Sequence, residues 1–186
     1  MMSQVKVEMS SNGEILMIYV RQDSCIVAVD TTGHLVEIIL DTYPVAIALD
    51  PHGFLSQKAI AGGSVGISYY SSGRIERIGN VVFSYYSSGR VERIGNTCFS
   101  YYSNGRVERV GNISFSYYSN GRIERIGRIG LSYYSNGRIE RVGNVRFSYY
   151  GSGRVERIGQ IGFSYYGSGR LKRMSGCDPN VQVIVR

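Results

Sequence analysis

Residues 84–94 read Ser-Tyr-Tyr-Ser-Ser-Gly-Arg-Val-Glu-Arg-Ile, and close variants of this segment return every 16 residues. A period this short indicates one supersecondary unit repeated along the chain, rather than a globular domain with its own active site. We therefore divide residues 65–176 into seven regular repeats, numbered repeat 1 (65–80) to repeat 7 (161–176). Each repeat is centred on one glycine: Gly73, Gly89, Gly105, Gly121, Gly137, Gly153 and Gly169.

A looser form of the repeat precedes the regular one, at a spacing of 20 residues. Its glycines are Gly13, Gly33 and Gly53, and the residue two after each of them is aliphatic, as it is in the regular repeats. We interpret residues 1–64 as three divergent hairpin repeats that form a candidate cap, and residues 177–186 as a C-terminal strand. The chain is then an array of ten consecutive units.

The charge is divided between these two parts. Residues 1–64 hold 3 Lys/Arg and 7 Asp/Glu, a net charge of −4, whereas residues 65–174 hold 17 Lys/Arg and 6 Glu, a net charge of +11. With residues 175–186 neutral, the chain carries +7 at pH 7. No segment is apolar for long enough to span a membrane, and the polar N-terminus does not resemble a signal peptide. These features predict a cytoplasmic protein with no membrane partner.

Within one repeat the pattern predicts a β-hairpin. Val81, Phe83 and Tyr85 form one face of a period-two pattern rich in β-branched and aromatic residues, which is typical of a strand. The three residues that end at Gly89 fit a hairpin loop with glycine in the left-handed conformation. Such a loop places Tyr85 opposite Val91, so that the apolar positions of both strands share a face.

The return strand leaves two alternatives open. Val91 and Ile94 are both apolar but lie three residues apart, which breaks the alternation of a regular strand. Either a β-bulge near Arg93 turns Ile94 toward the apolar face, or Arg93 points at that face and Ile94 points away.

Ten hairpins predict an all-β fold of about twenty antiparallel strands in one long sheet that twists or coils. Because one face of this sheet is apolar, the sheet must coil on itself or pair with a second copy to cover it. A parallel β-solenoid with one coil per repeat is the alternative architecture. It would stack the repeat arginines only about 4.8 Å apart, which favours the hairpin array.

The segment from Tyr69 to Ile75 and its six successors resemble the YD repeat of Rhs and Tc-toxin shell proteins, whose core is Tyr-Asp-x-x-Gly-Arg-Leu. The resemblance covers about residues 25–175, and Asp30 and Asp50 stand at the Asp position in the divergent repeats. In that family the repeats are β-hairpins of a long coiling sheet that encloses cargo, so the resemblance implies a hairpin array. The regular repeats carry a second tyrosine where the family has Asp, and the chain is too short to close a shell. The shell function is therefore not implied.

The candidate reactive groups all fall in turns or strands. Cys25, Cys98 and Cys177 are odd in number and widely spaced, which fits neither a disulfide framework nor a zinc site. We interpret Cys25 and Cys98 as buried strand thiols, and His34 and His52, which adjoin turn glycines, as surface turn residues. We therefore predict that the protein is not an enzyme and has no catalytic residue, cofactor or metal.

In repeats 1 to 6 a glutamate stands two residues after the arginine that follows the turn glycine. We interpret this column as cross-strand charge pairing with neighbouring arginines, each pair weak. The column comprises Glu76, Glu92, Glu108, Glu124, Glu140 and Glu156.

Tyrosine and arginine interleave along the regular repeats, and this is the one surface with functional content. Basic and aromatic side chains in alternation suit single-stranded nucleic acid or an anionic polysaccharide, but the same pairs can stabilise a solvent-facing sheet. We predict a structural or protein-interaction scaffold that binds a protein partner or self-associates, with polyanion binding as the alternative. The candidate interaction face comprises Tyr86, Arg90, Tyr102, Arg106, Tyr118, Arg122, Tyr134 and Arg138.

Overall fold

A computed structural model of the chain describes residues 5–10, 15–23, 25–41, 45–49, 55–61 and 65–178, which form twenty β-strands. The first six strands are β1 (Val5–Met9), β2 (Ile15–Gln22), β3 (Cys25–Val29), β4 (Leu35–Leu40), β5 (Val45–Leu49) and β6 (Leu55–Ala61). The regular repeats contribute two strands each: β7 (Ile67–Tyr69), β8 (Ile75–Ile78), β9 (Val81–Tyr85), β10 (Val91–Ile94), β11 (Thr97–Tyr101), β12 (Val107–Val110), β13 (Ile113–Tyr117), β14 (Ile123–Ile126), β15 (Ile129–Tyr133), β16 (Ile139–Val142), β17 (Val145–Tyr149), β18 (Val155–Ile158), β19 (Ile161–Tyr165) and β20 (Leu171–Ser175).

The strands form two antiparallel sheets in which neighbours in the chain are neighbours in the sheet. β1 to β6 make a six-stranded sheet, and β7 to β20 make a fourteen-stranded sheet with β7 and β20 as its terminal strands. The predicted antiparallel hairpin array is confirmed, and the parallel solenoid is excluded for these strands. The array differs from the single sheet that we expected, because it changes sheet between β6 and β7.

Each regular hairpin closes on the three-residue loop that the sequence predicts. In repeat 2 the Tyr86 amide donates to the Arg90 carbonyl at 2.9 Å, and the Gly89 amide donates to the Tyr86 carbonyl at 2.8 Å. Gly89 has a φ of +88°, which lies in the region that glycine enters without steric cost. Tyr85 consequently lies opposite Val91, as predicted.

A β-bulge follows in the return strand, and it decides between the two alternatives for Ile94. The register shifts between Val91 and Arg93, so that Arg93 lies opposite Ser84 and Ile94 lies opposite Phe83. Because the bulge adds one residue to this strand, Val91 and Ile94 both face inward, and both are 0% exposed. Arg93 faces solvent. The same register shift occurs in all seven regular repeats.

Consecutive repeats are joined by a two-residue turn. Ile94 lies opposite Thr97, and Gly95 and Asn96 connect them. Gly95 has a φ of +56° and Asn96 does not have a positive φ, which identifies a type II′ turn. The backbone of this turn matches the right-handed twist of its flanking strands, so one hairpin follows another without a longer connection.

The chain divides into two compact units. The first consists mainly of Leu16–Gly127 and holds β3 to β14, and the second consists mainly of Arg128–Arg186 and holds β15 to β20. One buried cluster of the second unit contains Val155, Ile161 and Phe163, which are 5%, 7% and 8% exposed, and partly buried apolar residues pack against them. Leu131, Ile139 and Phe147 of the same unit are also buried.

In the first unit the six-stranded sheet packs on the regular repeats. The Val107 amide donates to the Gly33 carbonyl at 2.8 Å, and the Thr97 hydroxyl donates to the Asp23 carboxylate at 3.3 Å. The Cys25 thiol lies 3.9 Å from the same Thr97 hydroxyl. This unit therefore covers apolar side chains of the regular repeats with the divergent ones. Fully buried residues of the two sheets include Ile18, Val20, Val27, Ile38, Ile47, Phe83, Val91, Ile94, Val107 and Val110.

The two strand cysteines differ from each other in burial. Cys25 is buried, as predicted, but Cys98 is exposed, and the prediction for it is wrong. Cys25 lies eight residues before its turn glycine and so faces inward, whereas Cys98 lies seven before Gly105. Because side chains alternate along a strand, a shift of one residue places Cys98 on the solvent face.

The predicted C-terminal strand lies largely beyond the described residues. Residues 177 and 178 are not in a strand, and residues 179–186 are outside the described ranges. The Asp178 carboxylate accepts a hydrogen bond from the Gln160 amide at 3.1 Å, so the chain after β20 closes over the turn between β18 and β19.

Candidate interaction face

The predicted interaction face is only partly open to solvent. Tyr86, Tyr102 and Tyr118 are 38%, 39% and 38% exposed, and the arginines of the face are half-buried. The structure does bring these tyrosines and arginines together. It does so mainly between one repeat and the next, a contact that we call a joint.

The second tyrosine of each repeat reaches into the following repeat. The Tyr86 hydroxyl donates to the Phe99 carbonyl at 2.7 Å, and its ring meets the Tyr101 ring edge-on with centroids 6.3 Å apart. The same hydrogen bond and the same ring pair occur at five joints, those between repeats 1–2, 2–3, 3–4, 5–6 and 6–7. These tyrosines therefore link hairpins to one another.

The arginine that follows each turn glycine, which we call the loop arginine, also packs on the next repeat. The Arg90 guanidinium lies 5.7 Å from the centroid of the Tyr101 ring. It also covers Gly105, where a Cβ would lie 2.7 Å from a guanidinium nitrogen. The arginine–tyrosine stack recurs at the same five joints, with distances of 5.5–5.8 Å. The absence of a Cβ at the turn thus serves the loop conformation and leaves room for the arginine above it.

The first tyrosine of a repeat is held as a neutral phenol. Burial raises the pKa of Tyr85, Tyr101, Tyr117 and Tyr149 above the ordinary tyrosine value, and the adjacent loop arginine lowers it by less. The Tyr117 hydroxyl donates to the Val107 carbonyl at 2.6 Å in the preceding repeat. The Tyr101 hydroxyl is buried and has no hydrogen-bond partner in the part of the chain that the structure describes. These rings belong to the packed interior of the joints.

A second row of arginines, which the sequence analysis did not single out, faces solvent. Each lies four residues after a turn glycine, and we call them the outward arginines. All seven are exposed, and within the described residues none of their guanidinium groups forms an ion pair or a hydrogen bond. The β-bulge places them there, so choosing the bulge alternative from the sequence would have identified them. The row comprises Arg77, Arg93, Arg109, Arg125, Arg141, Arg157 and Arg173.

The glutamate column bonds to serine, and the predicted charge pairing is wrong for most of it. The Ser84 hydroxyl donates to the Glu92 carboxylate at 3.1 Å, and the same bond occurs in repeats 1, 4, 5 and 6. Among the described residues of the regular repeats, the one ion pair joins Arg146 to Glu140 at 3.7 Å. Arg146 lies directly opposite Arg141, so this carboxylate offsets two facing like charges.

The histidine that the structure describes belongs to a turn. The Asp30 carboxylate accepts hydrogen bonds from the amides of Thr32 and His34 at 2.8 and 2.9 Å, and His34 Nδ1 lies 2.9 Å from the Thr32 hydroxyl. This arrangement closes the loop between β3 and β4, as expected for His34. His52 lies outside the described residues.

Other reactive chemistry has little support in the described ranges. Burial raises the pKa of the Cys25 thiol to about 11, which keeps the unreactive thiol form at neutral pH. No group of three or more His, Cys, Asp or Glu side chains in these ranges could hold a metal ion. The same ranges contain no helix of the length and apolarity that crossing a bilayer requires.

Comparison with models of known protein families and with curated proteins finds no match to this chain. The resemblance to the YD repeat stays a prediction from its motif.

Proposed function

We propose that the protein is a non-enzymatic repeat scaffold. In this proposal the tyrosines and loop arginines hold consecutive hairpins together. The solvent-facing side of the sheet, which carries the outward arginines, binds a protein partner or other copies of the chain. The observation that carries the proposal is the reuse of one set of contacts, a tyrosine hydrogen bond, a ring pair and an arginine stack, at five joints. Side chains committed to joining repeats are poorly available to a ligand.

Two arginines in repeat 6 test this assignment. Arg154 stacks on Tyr165 at 5.8 Å and covers Gly169, whereas Arg157 is exposed opposite Gly162. Replacing a stacked arginine by glutamine is expected to cost about 0.5–1 kcal/mol of unfolding free energy. A change at an exposed, unpaired arginine is expected to stay within about 0.5 kcal/mol.

The measurement is urea unfolding of Arg154→Gln and Arg157→Gln, which make the same chemical change three residues apart. The scaffold proposal requires that only Arg154→Gln lowers the stability. If Arg154→Gln is neutral or stabilising, the loop arginines do not hold the repeats together, and a role in ligand binding is then the better explanation for them.

Polyanion binding is the second candidate, and the outward arginines are the observation in its favour. They recur on every second strand, about 10 Å apart at the usual strand spacing, and none is paired with a carboxylate in the described residues. Neutralising phosphates releases counterions, so log K would fall with log salt at a slope of about −0.7 per contact on a single strand.

Fluorescence anisotropy with a labelled oligothymidylate and with heparin, at two salt concentrations, separates the two functions. Changing Arg93, Arg109, Arg125 and Arg141 together to Gln should flatten the salt slope if the outward row binds the polyanion. The scaffold proposal predicts no binding even at low salt. Binding that the fourfold variant does not alter would remove the outward row from consideration.

A further inference from the structure

The two ends of the regular array carry the two halves of a joint, each without its counterpart. At an interior joint one repeat contributes its second tyrosine and its loop arginine, which we call its donating end. The following repeat contributes the first tyrosine, the turn glycine and the strand carbonyl that they contact, which we call its receiving end. The segments on either side, residues 49–64 and 177–186, do not match the regular repeat. Within the described residues, the receiving end of repeat 1 and the donating end of repeat 7 therefore lack the counterpart that interior repeats have.

The receiving end in repeat 1 is open. Tyr69 is 49% exposed and makes no hydrogen bond to another described residue, whereas its equivalent Tyr85 donates to a carbonyl of the preceding repeat at 2.8 Å. No described atom lies within 4 Å of the position that a Cβ would take at Gly73, whereas Gly105 is covered by an arginine. Ile67 is half-buried, although the aromatic residues at its position in repeats 2 to 4 are 0–2% exposed.

The donating end in repeat 7 is open in the same way. Tyr166 is 51% exposed, with Lys172 of its own repeat 5.7 Å from its ring centroid, and its hydroxyl has no acceptor among the described residues. Tyr150, by contrast, donates to a carbonyl of the next repeat at 2.8 Å. Arg170 is exposed, whereas the equivalent Arg154 is half-buried on the next tyrosine. Met174 is 42% exposed, at a position that is 0–1% exposed in repeats 1 to 4.

The register of the interior joints aligns the two ends. β18 and β19 meet with Ile158 opposite Ile161 and Arg157 opposite Gly162. Shifted by whole repeats, this register places Met174 opposite Val65 and Arg173 opposite Gly66. No described atom lies within 4 Å of the Cβ position of Gly66, which directly precedes β7. β7 and β20 are also the terminal strands of the sheet, and among the described strands each keeps one unpaired backbone edge.

We propose that β7 of a second copy of this chain docks beside β20 and rebuilds the joint between molecules. Tyr166 then donates to the Ile67 carbonyl of the second copy, and Arg170 covers Tyr69 and Gly73 of that copy. The contact is head to tail, because the two copies use different surfaces. Each bound copy keeps one free end, and the assembly grows beyond a dimer unless it closes into a ring. This inference rests on the proposed scaffold function and names one partner for it.

Sedimentation velocity of the full chain over a concentration series tests the assembly. Wild type is expected to form species that are multiples of its 20.7 kDa mass. Arg170→Glu closes the donating end and Tyr69→Ser closes the receiving end, so each variant alone should be monomeric. Arg157→Glu makes the same charge change one repeat inside the end, and it should assemble like wild type. Circular dichroism verifies that each variant is folded.

Mixing the two blocked variants gives the sharpest result. Arg170→Glu keeps its receiving end and Tyr69→Ser keeps its donating end, so a mixture should form one joint and stop at a pair of twice 20.7 kDa. Wild type that stays monomeric at its highest soluble concentration overturns the inference, as does assembly that survives Arg170→Glu. A mixture that stays monomeric while wild type assembles also overturns it.

Two further results separate this inference from its rivals. Truncation after Asp178 removes the apolar segment 181–185, and assembly should persist without it; loss of assembly on truncation but not in Arg170→Glu would assign the contact to that segment. A monomeric wild type would leave the scaffold proposal standing, because the stability comparison of Arg154→Gln and Arg157→Gln is made within one molecule.

Discussion

At the scale of single residues, the turn glycine meets two separate requirements: a positive φ, and space for an arginine side chain where a Cβ would lie. Gly153 has a φ of +88°, and the Arg138 side chain occupies the space in which its Cβ would lie. Gly151, two residues earlier in the same loop, has neither constraint: its φ is not positive and nothing lies within 4 Å of its Cβ position. Repeats 1 to 5 accordingly have serine at the position of Gly151, whereas no regular repeat replaces the turn glycine.

Gly153→Ala and Gly151→Ala should therefore change stability in opposite directions. A residue with a Cβ at positive φ costs on the order of 1–3 kcal/mol, and the Arg138 stack must also shift. At Gly151 alanine reduces the entropy of the unfolded chain, which stabilises by about 0.4–1 kcal/mol. Thermal unfolding of the two variants checks this, and equal shifts of the melting temperature would contradict the left-handed loop.

The buried tyrosines predict a loss of stability in alkali. The pKa of Tyr117 is raised in the folded state, so folding favours the protonated phenol, and the unfolded chain loses that proton at about pH 10. This contribution is complete below about pH 10 and is lost as the pH rises above it, at up to about 1.4 kcal/mol per pH unit for each such group. Urea unfolding between neutral and strongly alkaline pH should show the decline, and part of the tyrosinate absorbance should appear only together with the loss of the β spectrum. Complete ionisation of all tyrosines in a chain that is still folded would contradict the burial of these rings.

At the scale of the hairpin, the sequence predicts the features that the backbone conformation determines, namely the loop and the strand register. The loop follows from the glycine and from the need to place Tyr85 and Val91 on one face, and the structure confirms both. The contacts of Tyr86 and Arg90 could not be predicted in the same way, because they are made with the next hairpin. Their direction depends on the bulge, which the sequence left as one of two alternatives, and on a type II′ turn that sets neighbouring hairpins side by side.

Tyr150→Phe and Tyr166→Phe isolate the hydrogen bond of a joint. Tyr150 donates to the Phe163 carbonyl at 2.8 Å, whereas the hydroxyl of Tyr166, in repeat 7, has no acceptor among the residues described. Removing the first hydroxyl should cost about 0.5–1.5 kcal/mol of unfolding free energy, and removing the second should cost nothing measurable in the monomer. Urea unfolding at low protein concentration is the measurement. A cost at Tyr166 equal to that at Tyr150 would show that the hydroxyl does not act through the joint.

At the scale of the whole molecule, the division into two sheets was not evident from the period. The apolar face of each repeat predicts that another element covers it, but the sequence does not identify that element. In the first compact unit the divergent sheet performs this role, and it is positioned by single departures from the repeat. Thr97, for example, is the first residue of repeat 3, whereas the other regular repeats begin with Val or Ile. The Thr97 hydroxyl contacts Asp23. Such pairwise contacts between distant segments leave no periodic signal.

Because of such contacts, deleting different repeats should change the stability by different amounts. Deleting residues 97–112 takes away Thr97 and its bond to Asp23, and the next repeat brings Ile113 into that place. Deleting residues 145–160 removes a repeat of the second unit and joins Asn144 to Ile161, two equivalent positions. We expect the first deletion to be the less stable of the two by urea unfolding, and equal stability would remove the assigned role of Thr97.

The most direct test of the repeat architecture is the deletion of residues 145–160, followed by circular dichroism, gel filtration and urea unfolding. Because each hairpin is stabilised mainly by its neighbours, the shortened chain should fold, keep its β spectrum and unfold with an m-value reduced in proportion to the lost surface. A shortened chain that is unfolded or aggregated would contradict an array built from interchangeable hairpins.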